Sequence, residues 1–304
     1  MGELCTLFFV KRGGTLEEIG NVVRLRFYKD RFLSATELSG LVIRDGGVSD
    51  IVGIKLFSGG RLLHYGYAEY LKAESRNGRR TVSFRSRGWS VMLTQNEPVP
   101  GMNLNVDLAR LAALNVSIPN VTYESGTAQV NYIYVNERST VWDAVTAYAK
   151  KAYDTQPYIL GDNEVRVRYV SGTARTYSSG RLVSYGEISD RRTMYSKVYM
   201  ADADGQYTYS QTDQAAANDG IVRERYFALD RQWLSSPTAG LQLKLEISGR
   251  RSRAQYIKLT GYSGEELFDT ASAVLEDGTP ISGTVGGIEA VFEKGRAVTA
   301  LYFF

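Results

Sequence analysis

The chain has 304 residues, 43% hydrophobic and 23% charged, the profile of a folded protein with room for two or three domains. Thirty-six basic residues against 33 acidic ones leave a net charge of only +3, so composition implies no global field for a polyanion. A single cysteine, Cys5, excludes an internal disulfide and a cysteine-rich zinc site. No signal-peptide pattern opens the chain and no apolar run approaches membrane length, so synthesis in a cytoplasm is expected. Tyrosine reaches 21 copies against 6 prolines; its ring suits strands and its wet hydroxyl suits interfaces.

In chain order, the runs 5–10, 22–28, 35–44, 51–57, 61–71 and 80–87 are apolar or alternating. Turn compositions separate them, and six strands at this spacing predict a small closed or nearly closed barrel over 1–90. Gly59–Gly60 predicts a hairpin with Ile54 and Leu56 on one side and Leu62, His64 and Gly66 on the other. After Trp89 the texture changes. Asn103 or Asn105 can cap a short helix carrying Leu108, Leu111 and Leu114. A strand at 130–135 then leads through Asn136–Glu137–Arg138 to a helix over 139–153. Thr140 and Asp143 have capping-box spacing there, and Val141, Val145, Tyr148, Ala149 and Ala152 share one face. Trp142 is expected in the core beside that face, and 162–168 returns as a strand.

From Arg181 a second strand-rich block runs to Arg231, with strands at 182–188, 197–201, 206–210 and 222–226. Ala201-Asp-Ala-Asp-Gly205 is a turn, because an EF-hand would need later ligands and a distal glutamate. Ser236–Pro237 has the form of a helix start, yet Leu241, Leu243, Leu245 and Ile247 alternate at strand period, so that segment stays open. Strands at 256–260, 288–292 and 299–304 end the chain, with Glu276–Pro280 a turn. The expected class is mainly β with an α+β insert: two tube-like β-barrel domains, 1–90 and 173–304 (the latter with a C-terminal β extension), flank a small α/β domain over 91–172.

Chemistry finds little purchase. His64 lies in a strand without a Gly-x-Ser-x-Gly elbow, and Cys5 fits burial in the first strand. The carboxylate pairs Glu17–Glu18, Asp202–Asp204 and Glu265–Glu266 are adjacent in sequence, whereas glycoside hydrolysis needs two carboxyls across a cleft. Arginine clusters at 79–80 with 85 and 87, at 191–192, and at 250–251 with 253 lack aromatic interleaving, which favours turns or subunit contacts over nucleic acid. No catalytic residue, cofactor or metal ligand is assigned, and no enzyme activity is expected.

The order of segments resembles the baseplate hub proteins of contractile phage tails, the late control gene D protein group and related prophage proteins. The resemblance rests on Arg61-Leu-Leu-His-Tyr-Gly-Tyr67, on Arg80-Arg-Thr-Val-Ser-Phe-Arg-Ser-Arg-Gly-Trp89, on Tyr134-Val-Asn-Glu-Arg-Ser-Thr-Val-Trp-Asp-Ala-Val145 and on Ile188-Ser-Asp-Arg-Arg-Thr-Met-Tyr-Ser-Lys-Val198. It covers most of the chain but not the segment after Tyr256. It implies a homotrimer in which three chains of two barrels make a pseudo-sixfold ring between a hexameric tail tube and a central spike, around part of the ejection channel. The implied partners are further copies of the chain, the tail tube or distal tail protein, the spike, other baseplate proteins and the tape measure protein. The implied location is the virion tail baseplate, assembled in the host cytoplasm. The opposing classes are a tail-associated cell-wall hydrolase and a β-rich carbohydrate-binding adhesin.

Overall fold

The computed structural model describes residues 5–76, 78–114, 117–275 and 278–304. The first segment forms seven strands, β1 (Thr6–Lys11), β2 (Leu16–Glu18), β3 (Val22–Asp30), β4 (Glu37–Ile43), β5 (Ile51–Ser58), β6 (Arg61–Arg76) and β7 (Arg79–Gly88). They run in the order β3-β4-β7-β6-β5-β1-β2, with every pair antiparallel. The period-2 pattern is cashed as burial: in β3, Leu25 and Phe27 face the core while Arg24 and Arg26 face out. Leu7, Phe9, Leu38, Ile54, Leu56, Val82 and Phe84 complete that core. The Gly59–Gly60 hairpin forms as the sequence predicts. Both glycines have positive φ, 55° and 77°, and the register pairs Ser58 with Arg61, Leu56 with His64 and Ile54 with Gly66. The three-residue β2 carries no sequence signal of its own.

A short 3₁₀ turn, Trp89–Thr94, leads into β8 (Gly101–Val106), α1 (Leu108–Ala113), β9 (Thr122–Tyr123), β10 (Val130–Val135), α2 (Val141–Tyr153), β11 (Tyr158–Ile159) and β12 (Glu164–Arg166). The α2 capping box is complete: the Asp143 amide donates to Thr140 Oγ1 at 3.2 Å, and the Thr140 amide to Asp143 Oδ2 at 2.8 Å. Val141, Val145, Tyr148 and Ala149 are buried, with Ala152 at the margin. Trp142 is half-buried and packs against the rim of this core, a more peripheral place than the sequence suggests. The cap of α1 is a correction. Asp107 accepts from the Arg110 amide at 2.7 Å, while Asn103 and Asn105 belong to β8, and Leu114 lies exposed past the helix end.

The remaining elements are β13 (Ala174–Tyr177), β14 (Leu182–Ser189), β15 (Lys197–Met200), β16 (Tyr209–Thr212), α3 (Gln214–Asn218), β17 (Glu224–Phe227), α4 (Pro237–Gly249), β18 (Arg253–Thr260), β19 (Thr270–Val274), β20 (Pro280–Glu293) and β21 (Arg296–Phe303). One open segment is decided here, and one expectation changes. The segment with alternating leucines is a helix, α4, with Pro237 in its first turn. Leu241, Leu245 and Ser248 bury one side of it and Leu243 another, so burial on two sides of a helix mimics strand period. Strands β15, β16 and β17 do not join the main sheet. They form a separate three-stranded sheet whose Val198 and Met200 pack on Leu241 and Leu245. Only β14 of that block enters the main sheet, next to β18, β21 and β20.

The first and last segments share one 13-stranded sheet, because β20 pairs antiparallel with β3, from Gly287 opposite Asp30 to Glu293 opposite Arg24. The chain after Tyr256 therefore supplies the middle of the sheet. Its core of Ile257, Leu259, Ala271, Val285, Ile288, Leu301 and Phe303 lies beside the first, and Ala290 and Phe292 of β20 reach into the first core. Lys29 and Arg61 both pair with Glu266, adding an ionic tie across the join. Glu276 and Asp277 of the expected turn lie outside the described residues. The fold is mainly β with a small helical insert, as strand periodicity predicts.

Candidate assembly surfaces

The residues with catalytic potential are placed one by one by the sheet. His64 is fully buried in β6, with Nδ1 2.8 Å from Thr36 Oγ1 and Nε2 2.8 Å from Ser86 Oγ. The Ser86 hydroxyl donates its one proton to the Tyr67 carbonyl at 2.8 Å. It must therefore accept from Nε2–H, which leaves Nδ1 to accept from Thr36. The imidazole is neutral, and burial pulls its pKa down to about 3. Ser86 is 1% exposed, so this serine–histidine pair has no substrate access. Gly66 keeps the pocket tight, since a Cβ there would sit 2.2 Å from the Arg87 carbonyl oxygen and 2.7 Å from His64 Nε2. Cys5 is half-buried beside the first core, and burial raises its thiol pKa to about 11, so it carries no thiolate at neutral pH.

The carboxylate pairs are committed to structure. Glu17 receives Arg44 through two bonds of 2.7 and 2.8 Å and Lys11 at 3.0 Å, which together lower its pKa to about 2. Glu265 accepts from the Ser263 amide at 2.8 Å and from the Tyr177 hydroxyl at 3.2 Å. Burial pushes the Glu266 carboxyl up, but Lys29 outweighs it and holds the pKa low. Asp202 ties its own turn, accepting from the amides of Asp204 and Gln206 at 3.0 and 2.9 Å. Among the described residues no group of His, Cys, Asp and Glu could hold a metal ion.

Several large apolar and aromatic side chains remain exposed. At one end of the main sheet β14 has a free edge, with Val183, Tyr185 and Ile188 exposed. On the small sheet, Tyr199 and Tyr226 are cross-strand partners whose rings stack at 4.5 Å, and Tyr207 meets Tyr226 edge-on at 5.1 Å. That face points away from α4. The arginine clusters separate into paired and unpaired members: Arg87 pairs with Glu69, Arg192 with Asp190, and Arg191 and Arg253 with Asp219. Arg250 makes no such pair among the described residues. It lines a cleft of about 820 Å³ where α4, the end of α2 and the β3–β4 loop meet. Sequence gives no signal for that cleft, because its walls come from segments more than a hundred residues apart. No helix among the described residues is long and apolar enough to cross a membrane.

No protein-family profile matches the sequence, and no curated protein matches it. Solved structures do match. The backbone is similar to the tail protein from Neisseria meningitidis MC58, with a TM-score of 0.71 at 15% identity over 98% of this chain and 95% of that one. It is similar to the 43 kDa tail protein of prophage MuSo2 from Shewanella oneidensis, with a TM-score of 0.68 at 13% identity over 99% and 98%. An Escherichia coli type VI secretion component, c3393, described as structurally similar to the T4 tail proteins gp27 and gp5, matches with a TM-score of 0.50 at 9% identity over 93% and 73%. The chain has the fold of phage tail proteins.

Proposed function

We propose that this chain is a structural baseplate hub of a phage or phage-like tail. In this reading it is a homotrimeric adaptor that joins the hexameric tail tube to the central spike and lines part of the ejection channel. The observation that carries the reading is the backbone match to two tail proteins over nearly the whole of this chain and of each of theirs. Physical features support it. The potential nucleophile and base are sealed inside the sheet, and a free strand edge and a stacked tyrosine face are presented outside. Tyrosine and arginine are the residue types that concentrate binding energy at protein contacts. Three chains, each with two strand-rich halves flanking 91–172, would offer six similar docking faces to a sixfold tube around a threefold axis.

Labelling the chain in assembled particles tests this directly. The label is expected on the tail axis at the tube–spike junction. A label on a fibre or on the outer tail surface would overturn the hub role, and turnover of peptidoglycan by the purified chain would return the hydrolase.

A further inference from the structure

The cleft at the end of α4 holds an imbalance of charge. Arg31, Arg250 and Arg251 gather around one carboxylate, Asp30, which is already committed. Asp30 accepts from the Tyr28 hydroxyl at 2.9 Å and from the Phe32 amide at 2.7 Å, and Arg251 Nη2 lies 2.7 Å from it. Among the described residues the guanidinium groups of Arg31 and Arg250 have no hydrogen-bond or ion-pair partner, and Arg31 Nε is buried without one. Both are stacked on Phe32, at 4.6 and 5.1 Å from its ring centre, and Phe304 stacks on the same ring at 5.6 Å. Burial lowers the pKa of each, and the charge of Asp30 offsets that loss of water only in part. The acids on the cleft wall are taken. Lys150 pairs with Asp154 at 2.7 Å and with Glu246 at 3.2 Å, and Asp213 caps α3.

We propose that this cleft receives an acidic, partly apolar segment of another tail protein, whose carboxylates pair with Arg31 and Arg250 while an aliphatic side chain meets the exposed Ile247. Two preformed, poorly hydrated guanidinium groups give charge-assisted bonds to carboxylates at little ordering cost. About 820 Å³ is within the range of sites that enclose ligands. A nucleic acid fits less well, because two neighbouring guanidinium groups make a single point of positive charge and not the extended basic track that a continuous row of phosphates needs. Only the identity of the partner as a tail protein rests on the hub reading; the binding chemistry does not.

The test uses the intact chain and two synthetic probes, acetyl-Glu-Leu-Glu-Leu-Glu-amide and its all-glutamine counterpart, with amide chemical shifts as the readout. The glutamate peptide is expected to shift amides around Phe32 and Gly249 at least tenfold more tightly than the glutamine peptide. Arg31→Gln with Arg250→Gln is expected to weaken it about tenfold, and Arg31→Lys with Arg250→Lys to weaken it less. An exposed-turn control, Arg79→Gln with Arg80→Gln, is expected to change nothing. Should the double glutamine variant fail to fold, Arg250→Gln alone carries the comparison. Equal binding of both peptides, or unchanged binding by the arginine variants, overturns the proposal. Tighter binding of a ten-nucleotide oligothymidine at the same arginines replaces it with a nucleic-acid site.

Discussion

Because His64 is the only histidine, its burial becomes a measurable pH dependence. The unfolded imidazole titrates near its ordinary 6.5, whereas the folded one is held down to about 3. Below pH 6.5 the unfolded chain binds a proton that the folded chain refuses. The stabilisation is thus fully present above 6.5 and is lost progressively as pH falls toward 3. At pH 5 the linkage amounts to about 2 kcal/mol relative to neutral pH, before most carboxylates begin to titrate. Urea unfolding at pH 7.5 and 5.0 measures it, with His64→Gln as the reference, since glutamine can bridge Thr36 and Ser86 but cannot titrate. The wild type is expected to lose about 2 kcal/mol more than the variant over that interval. Equal losses would refute the reasoning, as would an imidazole resonance that titrates with a midpoint above pH 5.

Three further outcomes follow from contacts. Glu266→Gln leaves Lys29, with a side chain 5% exposed, without its counter-charge, and is expected to cost about 2–3 kcal/mol in denaturant unfolding. Trp142→Ala is expected to cost about 2 kcal/mol, less than the 3–5 typical of a fully buried aromatic, because the ring packs only on the rim of the middle core; an unchanged melting temperature would contradict that packing. Gly66→Ala drives a methyl into the Arg87 carbonyl and the His64 ring and is expected to prevent soluble folding, whereas Gly20→Ala, at an open loop position, is expected to leave a folded chain by circular dichroism.

The first seven strands show where sequence is sufficient. Apart from the three-residue β2, one face of each packs on a core and the other meets solvent, so β3 reads as alternating apolar and basic residues. The α2 helix is legible from Thr140 and Asp143 because a capping box is local chemistry. Legibility fails where burial is two-sided or pairing is remote. Leu243 buries on a different side of α4 from Leu241 and Leu245, so the pattern loses its helical period. The strand Thr270–Val274 has Ala-Ser-Ala at its centre, too short and too weakly patterned to read as a strand beside its neighbours. The pairing of β20 with β3 links residues some 260 positions apart, and nothing in either strand names its partner. The Arg31–Phe32–Phe304–Arg250 stack is invisible for the same reason. Thr36 and Ser86 reach His64 from 28 and 22 positions away, neighbours that no spacing in the sequence announces.

The hub reading stands or falls on symmetry. Copy number and local symmetry of this chain in an intact particle, from electron cryo-microscopy of the tail tip, measure it most directly. The account predicts three copies on the tail axis in threefold symmetry, each turning two strand-rich halves toward a sixfold tube. Six copies in true sixfold symmetry would make the chain a tube subunit, and density away from the axis would contradict the account outright.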